Sequence, residues 1–256
     1  MSGGEFILET KNLSKDFRGF TAVDQVNLRV KRGTIHALIG PNGAGKTTVF
    51  NLLTKFLPPS AGTIYYNSVD ITHAQPAQTA RRGMVRSFQI SAVFPHLSVR
   101  ENVRVALQRK LGTSFHFWKS DSTLRHLDGR AQELLEQVDL GEFADIQTVE
   151  LPYGRKRALE IATTLALDPE LMLLDEPTQG MGHEDVGRVV ELIRKVSANR
   201  TILMVEHNMS VVANLSNTIT VLARGSVLAE GNYAEVSKNP AVLEAYVGST
   251  EVEEMA

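Results

Sequence analysis

Residues 40 to 48 read Gly-Pro-Asn-Gly-Ala-Gly-Lys-Thr-Thr and match the phosphate-binding loop pattern G-x-x-x-x-G-K-[ST] in full. The apolar run Ile35–Ile39 precedes this loop as a buried strand should, and Val49–Leu53 continues it as a short apolar helix. The glycines allow backbone N–H groups to curl around phosphate oxygens, and the helix directs the positive end of its dipole at them. The sequence therefore predicts a strand, a glycine turn and a helix that bind phosphate groups.

Two side chains of the loop carry specific chemistry. Lys46 can reach the β- and γ-phosphates of a nucleotide, and the Thr47 hydroxyl is placed to ligate Mg²⁺. A glycine-rich turn without a ligand is the alternative, but the intact Lys-Thr pair between a strand and a helix speaks against it. The loop residues predicted to contact the nucleotide are Asn42, Gly43, Ala44, Gly45, Lys46, Thr47 and Thr48.

Composition narrows the class of protein. The chain has 256 residues and is 43% hydrophobic, which suits one domain with lobes or two small domains. Its 27 basic and 29 acidic residues give a net charge of −2, whereas a nucleic-acid-binding chain is expected to be clearly basic. The lack of cysteine excludes disulfides, iron–sulfur clusters and cysteine-ligated zinc. We find neither a secretory signal in Met1–Thr10 nor an apolar run of about 18 residues, so a membrane role would require a partner.

The pattern of apolar residues predicts an α/β fold. Strands at Leu171–Leu174 and Thr201–Val205 alternate with helices, which favours a parallel sheet covered on both faces. The middle of the chain, about residues 72–150, is richer in helix formers and charge and reads as a helical insertion. Further predicted strands are Phe6–Glu9, Val26–Val30, Gly62–Tyr66, Thr218–Leu222 and Ser226–Ala229, and further predicted helices are Val99–Gln108, Gly129–Leu140 and residues 184–198.

Polar residues follow two of the buried strands. Asp175 and Glu176 come after Leu171–Leu174, at the carboxyl end where ligands bind in such sheets. Asp175 can hold Mg²⁺ or its water, and Glu176 can act as a general base toward water. His207 follows Thr201–Val205 and could contact the γ-phosphate and the attacking water. The alternative for all three is an ordinary solvated residue at a strand end, which is the commoner role of a lone histidine.

The order and spacing of these motifs resemble the ATP-binding subunit of ABC transporters over about residues 6–248. After the phosphate loop come Gln89, a helical stretch, the signature-like segment Leu151–Arg155, the acidic strand end and then His207. The resemblance implies a P-loop NTPase (RecA-like) core with an N-terminal antiparallel β subdomain and an inserted α-helical subdomain. It also implies hydrolysis of ATP with Mg²⁺ as cofactor.

The resemblance extends to domain limits. It implies that residues 1–256 form a single ABC ATPase domain and that the helical subdomain covers about residues 90–165. We expect the tail, residues 249–256, to be disordered.

Several residue roles rest on the resemblance. Phe17 matches the aromatic residue that stacks on adenine, the alternative being an ordinary half-buried phenylalanine. Gln89 matches the glutamine that touches Mg²⁺ and senses the membrane subunit. The residues implied to hold the metal are Thr47, Gln89 and Asp175, and those implied to be catalytic are Lys46, Gln89, Glu176 and His207.

Within the family, the chain resembles the larger ATPase subunit of branched-chain amino-acid importers and their relatives for urea and short amides. The related ATPases that export lipopolysaccharide share parts of the C-terminal pattern, so an exporter remains an alternative. The stretches that carry the likeness are Arg86–Gln89, Phe94–Val103, Tyr153-Gly154, Ala229–Gly231 and Glu244–Gly248.

This resemblance implies several partners. They are a second ABC ATPase subunit, identical or different, membrane permease subunits, and indirectly a periplasmic solute-binding protein, but no nucleic acid. The expected location is the cytoplasmic face of the inner or plasma membrane. Phe94 and Leu97 are candidate permease contacts, with burial in the lobe core as the alternative.

Two rival functions are compatible with a phosphate-binding loop of this kind. A soluble ABC ATPase of DNA repair or translation usually has two cassettes, coiled-coil inserts or metal-binding cysteines, which this chain lacks. A nucleotide-binding regulator without hydrolysis is the other rival. The intact set of Lys46, Asp175, Glu176 and His207 speaks against it.

The signature departs from the usual Leu-Ser-Gly-Gly-Gln. In the family, its serine hydroxyl and glycine N–H groups close over the γ-phosphate bound by the other subunit, but Pro152 offers neither hydroxyl nor N–H. The following helix starts with three cations, which oppose its dipole unless an anion lies nearby. We therefore expect Tyr153, Gly154 and Arg155 to face phosphate, the alternative being a solvated basic turn. Gly182 also replaces the carboxylate that the family often uses for coupling.

Overall fold

The computed structural model describes residues 4–87, 93–110 and 126–247. Gln89 and the tail at 249–256 therefore lie outside the described residues. Contacts divide the chain into two compact units. The first combines Met1–Met84, Glu170–Pro177 and Ser197–Ala256, and the second combines Val85–Pro169 and Thr178–Val196. The second unit thus also takes in residues that follow the acidic strand end, beyond the limits expected for the helical subdomain.

The first unit contains an antiparallel sheet in which β1 is the central strand. β1 pairs with β2, β3 and β5, and β6 extends the sheet beyond β5. The bounds are β1 Phe6–Phe17, β2 Phe20–Val26, β3 Arg29–Lys31, β5 Ala61–Tyr66 and β6 Val69–Asp70.

The prediction of one strand over Val26–Val30 is wrong. β2 ends at Val26 and β3 begins at Arg29, because Gln25 has a φ of 48° and the Asn27 side chain accepts a hydrogen bond from the Asn12 N–H at 2.9 Å. Buried and exposed residues nevertheless alternate through the break, as the sequence pattern indicated. The alternation of apolar and polar residues shows which face is buried. It does not show that two separate strands, β2 and β3, pair with different parts of β1.

The second sheet has the order β11-β10-β4-β9-β8-β7. Strands β10, β4, β9 and β8 are parallel, and β11 is antiparallel to β10, which confirms the predicted parallel sheet. Every residue of β4 and β9 is buried, as expected for strands covered on both faces. The bounds are β4 Ile35–Ile39, β7 Met84–Arg86, β8 Leu171–Asp175, β9 Thr201–Val205, β10 Thr218–Ala223 and β11 Ser226–Gly231.

The helices of the first unit include the one that follows the phosphate loop. Its buried side chains, Val49, Phe50, Leu52 and Leu53, belong to the same core as residues of both sheets. The short helix α2 was missed by the sequence reasoning. The bounds are α1 Lys46–Leu53, α2 Pro76–Arg81, α7 Met209–Leu215, α8 Tyr233–Val236 and α9 Pro240–Val247.

The second unit is mainly helical. The helix predicted at Gly129–Leu140 ends at Gln137, because Asp139 adopts a left-handed φ of 57° and the Leu140 N–H bonds to the Leu135 carbonyl at 2.8 Å. This is the usual helix-ending motif with a left-handed residue, here filled by aspartate instead of glycine. The bounds are α3 Val99–Lys110, α4 Asp128–Gln137, α5 Tyr153–Leu165 and α6 His183–Ser197, with 3₁₀ turns at Gly141–Phe143 and Thr148–Glu150.

Candidate nucleotide-binding site

The glycines of the phosphate loop are required by close backbone approaches. A Cβ on Gly40 would lie 2.1 Å from the Leu222 carbonyl oxygen, and one on Gly45 would lie 2.6 Å from the Ala22 carbonyl oxygen. Gly43 has a φ of 77° but faces open space. The loop is therefore pressed against its own sheets on one side and open at Gly43 on the other.

Lys46 is held over the loop that precedes it. Its side chain is only 8% exposed, and Nζ donates to the carbonyl oxygens of Gly40 at 2.6 Å and Pro41 at 3.1 Å. These two bonds fix the ammonium group above the loop. The lysine therefore needs little rearrangement to meet a phosphate there.

The start of α1 has the polarity that an anion needs. In the part of the chain that the structure describes, no side chain caps this helix and its first turn contains no acidic residue. Backbone N–H groups at such an end carry a partial positive charge. Thr47 is exposed and Thr48 half-buried, so the Thr47 hydroxyl can reach a ligand.

The other loop residues differ in what they can offer. Asn42 and Gly43 are exposed, whereas Ala44 is buried. The Ala44 N–H donates to the Pro41 carbonyl at 3.1 Å, and its carbonyl accepts from the Gly225 N–H at 3.1 Å. Ala44 thus shapes the loop, and its contact with nucleotide stays a prediction.

The acidic pair lies at the carboxyl end of β8, as expected. Asp175 is in register with Val205 of β9, and Leu38 of β4 is in register with the same residue. The three strands therefore end at one sheet edge, which brings together the start of the phosphate loop, the acids and the segment after β9.

Glu176 has an unusual backbone. Its φ is 44°, and its N–H donates to the Val205 carbonyl at 2.9 Å. The left-handed region costs a non-glycine residue about 1–2 kcal/mol. Such strain occurs preferentially at functional sites, which supports a chemical role for this carboxylate.

His207 is exposed at the same sheet edge, and a neighbour that the sequence reasoning missed holds its backbone. Glu206 is fully buried, and its Oε2 accepts from the N–H of His207 at 3.0 Å and of Asn208 at 3.2 Å. Asn208 in turn caps α7 by accepting from the N–H groups of Ser210 and Val211. The available signal was an acid directly after the apolar strand and directly before His207.

The oxygen donors at this sheet edge suit a Mg²⁺ ion that also binds phosphate and water. They suit less well a metal ion whose ligands are all protein side chains. Among the described residues, no group of three or more His, Asp and Glu side chains could hold a metal ion. Mg²⁺ usually takes one or two protein oxygens and completes its shell with phosphate oxygens and water. The Thr47 hydroxyl and the Asp175 carboxylate are oxygen donors of this kind.

Phe17 lies at the end of β1 and is 42% exposed. The Lys15 ammonium is 5.2 Å from the centre of its ring. The ring is therefore accessible to a ligand, and its stacking on adenine stays a prediction.

The signature-like segment belongs to the second unit. Gly154 would place a Cβ 2.7 Å from Oδ1 of Asp185, and the Tyr153 hydroxyl donates to the Gln179 carbonyl at 3.1 Å. The Arg155 guanidinium lies over the Phe143 ring at 3.8 Å. Gly154 is the second residue of α5, so the Asp185 carboxylate lies beside the first turn of this helix.

The three cations at the start of α5 have partners within the protein. Lys156 donates to the Val149 carbonyl at 3.1 Å, and Arg157 forms a buried ion pair with Glu160 at 2.5 Å. Burial raises the pKa of Glu160 to about 7, against the effect of Arg157. Asp185 already supplies an anion near the start of α5, so the helix dipole no longer demands a phosphate. The phosphate contacts of Tyr153, Gly154 and Arg155 stay predictions.

None of the helices in the described ranges combines the length and apolar character that a bilayer crossing demands.

The sequence pattern of the ABC transporter family matches residues 23–179, and that of the branched-chain amino acid ATP-binding cassette transporter matches residues 226–252.

Curated relatives extend this match over nearly the whole chain. BraF of Pseudomonas aeruginosa, a high-affinity branched-chain amino acid transport ATP-binding protein, is 38% identical over 94% of this chain and 98% of its own length. LivG of Escherichia coli, which carries the same description, is 40% identical over the same shares.

Solved structures of ABC transporter cassettes are also similar to this chain. A nucleotide-free ATP-binding cassette from an ABC transporter has a TM-score of 0.83 and 29% identity, and covers 95% of this chain and 100% of its own. The ADP conformation of MJ1267, another such cassette, has a TM-score of 0.84 and 29% identity, and covers 96% and 100%. The chain therefore belongs to the ABC transporter family, in its group of branched-chain amino acid transport ATP-binding proteins.

Proposed function

We propose that this chain binds and hydrolyses ATP to power an ABC importer for branched-chain or other hydrophobic amino acids, or related small solutes. The observation that carries the proposal is the 38–40% identity to BraF and LivG over 94% of the chain. The match at residues 226–252 to a pattern specific for branched-chain amino acid cassettes favours this group over exporters.

Charge neutralisation comes from the phosphate loop. Lys46, already fixed above the loop by two carbonyl oxygens, and the N–H groups at the start of α1 face the β- and γ-phosphates. Thr47 and Asp175 would hold Mg²⁺, and Gln89 would be a further ligand. When bound, the ion neutralises the phosphate oxygens.

Hydrolysis depends mainly on where the side chains of Glu176 and His207 are held. Glu176 orients a water molecule and accepts its proton, while His207 contacts the γ-phosphate. The carboxylate of Glu206 fixes the backbone on which His207 is carried. Phosphoryl transfer needs little covalent participation by protein, so these positions and charges account for most of the catalysis.

The proposed partners are a second ABC ATPase subunit and membrane permease subunits. A periplasmic solute-binding protein would deliver the solute to the permease and is an indirect partner. The second ATPase subunit would present its nucleotide to Tyr153, Gly154 and Arg155. ATP then favours the closed dimer and hydrolysis releases it. The chain would lie at the cytoplasmic face of the membrane, held there by the permease.

A surface of the second unit supports the permease contact. Phe94 and Val149 are exposed apolar residues, and the buried Asn102 of α3 holds the backbone at Phe94. The Asn102 side chain accepts from the Phe94 N–H at 2.7 Å and donates to the Phe94 carbonyl at 3.0 Å and to Thr148 at 2.9 Å. Leu97 is half-buried beside them.

Reconstitution of the transporter tests the proposal. Solute uptake and ATP hydrolysis should both require this chain, and Glu176→Gln should bind ATP but not hydrolyse it. Lys46→Ala should lose nucleotide binding. Copurification with DNA or ribosomes instead of permease subunits, or uptake that persists with Glu176→Gln, would contradict the proposal.

A further inference from the structure

A tight turn over residues 178–181 follows the acidic strand end. The Met181 N–H donates to the Thr178 carbonyl at 3.3 Å, and this bond closes the turn. Gly180 has a φ of 76°, whereas Gln179 before it has an ordinary negative φ. A positive φ at the third residue alone is characteristic of a type II turn, in which glycine is the preferred third residue.

The Tyr153 hydroxyl bonds to the part of this turn that rotates most easily. Type I and type II turns differ mainly in the orientation of the peptide between their second and third residues, here Gln179 and Gly180. Glycine as the third residue tolerates both orientations, because it has no Cβ. The Tyr153 hydroxyl donates to the Gln179 carbonyl of this same peptide at 3.1 Å. The bond therefore selects the type II orientation.

The composition of the turn makes such a bond useful. Gln179, Gly180 and Gly182 are all exposed, and in the part of the molecule that the structure describes a Cβ on Gly182 would meet no heavy atom within 4 Å. Glycine loses more conformational freedom than any other residue when it is ordered, so this segment needs a contact from outside to keep one geometry. The Tyr153 side chain is itself 46% exposed, so burial alone does not account for an aromatic residue there.

The turn also bears on the strained backbone of Glu176. This residue has a φ of 44°, and strain of this kind persists only where the neighbouring structure fixes it. On one side the pairing of β8 and the bond from the Glu176 N–H to the Val205 carbonyl hold the chain. On the other side Pro177 is followed at once by the turn. The rigidity of the turn therefore limits how far the chain after Glu176 can relax.

We propose that Tyr153 is a positioning residue for hydrolysis. Its hydroxyl locks the peptide between Gln179 and Gly180 and thereby restrains the segment that carries Glu176 in the same chain. The inference rests on the proposed ATP hydrolysis and adds a residue to it. It concerns the hydroxyl alone, and the backbone N–H groups of the signature-like segment keep their predicted role toward the nucleotide of the second ATPase subunit.

Steady-state ATP hydrolysis by the reconstituted transporter tests the inference. Tyr153→Phe removes only the hydroxyl and should lower kcat by about two- to tenfold, the range of one net hydrogen bond, while KM for ATP stays the same. Incorporation of 4-aminophenylalanine at position 153 restores a donor and should recover most of the kcat. Tyr65→Phe is the matched control, because Tyr65 is also a partly exposed tyrosine but lies on β5, near Lys11. It should leave both constants unchanged.

Two further measurements separate this role from a contact with phosphate. Hydrogen exchange of the Met181 amide in the complex should become about two- to tenfold faster in Tyr153→Phe, because the turn opens more often. In a Glu176→Gln background, Tyr153→Phe should leave the ATP-dependent association with the second ATPase subunit unchanged.

Three outcomes would overturn the inference. They are an unchanged kcat in Tyr153→Phe, an unchanged exchange rate of the Met181 amide, and a weaker ATP-dependent association in the Glu176→Gln background, since the last would mean that the hydroxyl contacts the nucleotide of the second subunit. Hydrolysis at the wild-type rate by Glu176→Gln alone would instead contradict the proposed function.

Discussion

The buried carboxylate of Glu206 offers a sharp test of how the site is held. Replacement by alanine removes the acceptor for the N–H groups of His207 and Asn208. A hydrogen bond to a charged group contributes about 1.5–3 kcal/mol, and water at the sheet edge can replace part of it. We therefore expect Glu206→Ala to lower the free energy of unfolding by about 3 kcal/mol.

The effect on hydrolysis should be separate from the loss of stability. A misplacement of about 1 Å in a catalytic contact can lower a rate about a hundredfold, so we expect kcat to fall by ten- to a hundredfold. Glu206→Gln is the matched variant, because its amide oxygen can still accept from the same N–H groups. It should keep most of the kcat.

The assay is steady-state ATP hydrolysis by the reconstituted complex, together with urea unfolding of the isolated chain. If Glu206→Ala is destabilised but hydrolyses ATP at the wild-type rate, then Glu206 does not position His207. If the glutamine variant is as inactive as the alanine variant, the charge matters and not the acceptor, and the reasoning from hydrogen bonds is wrong.

Three further perturbations test other parts of the structure. Gly40→Ala, whose Cβ would lie 2.1 Å from a backbone oxygen, should lower the free energy of unfolding by about 3 kcal/mol or more, because it overpacks the site. Gly43→Ala faces open space and should lower it by only about 1 kcal/mol, the cost of its left-handed backbone. Midpoints of urea unfolding would separate the two variants. Asp185→Asn in a Glu176→Gln background should tighten ATP-dependent dimerisation by about two- to fivefold in sedimentation experiments, because one of two competing anions near α5 is removed; a matching gain in the neighbouring Glu184→Gln would contradict this. Burial lowers the pKa of His36 from 6.5 to about 4, so its contribution to stability is complete above pH 6.5 and is lost as pH falls toward 4. Between pH 7 and pH 5, the free energy of unfolding should therefore fall by about 2 kcal/mol less in His36→Leu than in the wild type. If the variant and the wild type show the same pH dependence of unfolding, His36 is not the cause.

Local pattern was enough for much of the fold. The strands Ile35–Ile39 and Thr201–Val205 and the helix at 184–198 were predicted within a residue, and the helix predicted at Val49–Leu53 begins three residues earlier, at Lys46. Each depends on spacing within a few turns or on a short motif. Asp175 and Glu176 were placed at the correct sheet edge for the same reason, since a buried apolar run that ends in charge marks the end of a strand.

Other features depended on residues far apart in the chain. The break at Val26–Val30 and the backbone strain at Glu176 come from pairing with distant strands, which periodicity does not record. The same holds for the stacking of Arg155 on Phe143 and the approach of Asp185 to Gly154. Hydrophobic patterning specifies which face of an element is buried. Only the packed tertiary structure decides which side chain from another element meets it, because that choice depends on contact energies summed over the whole core.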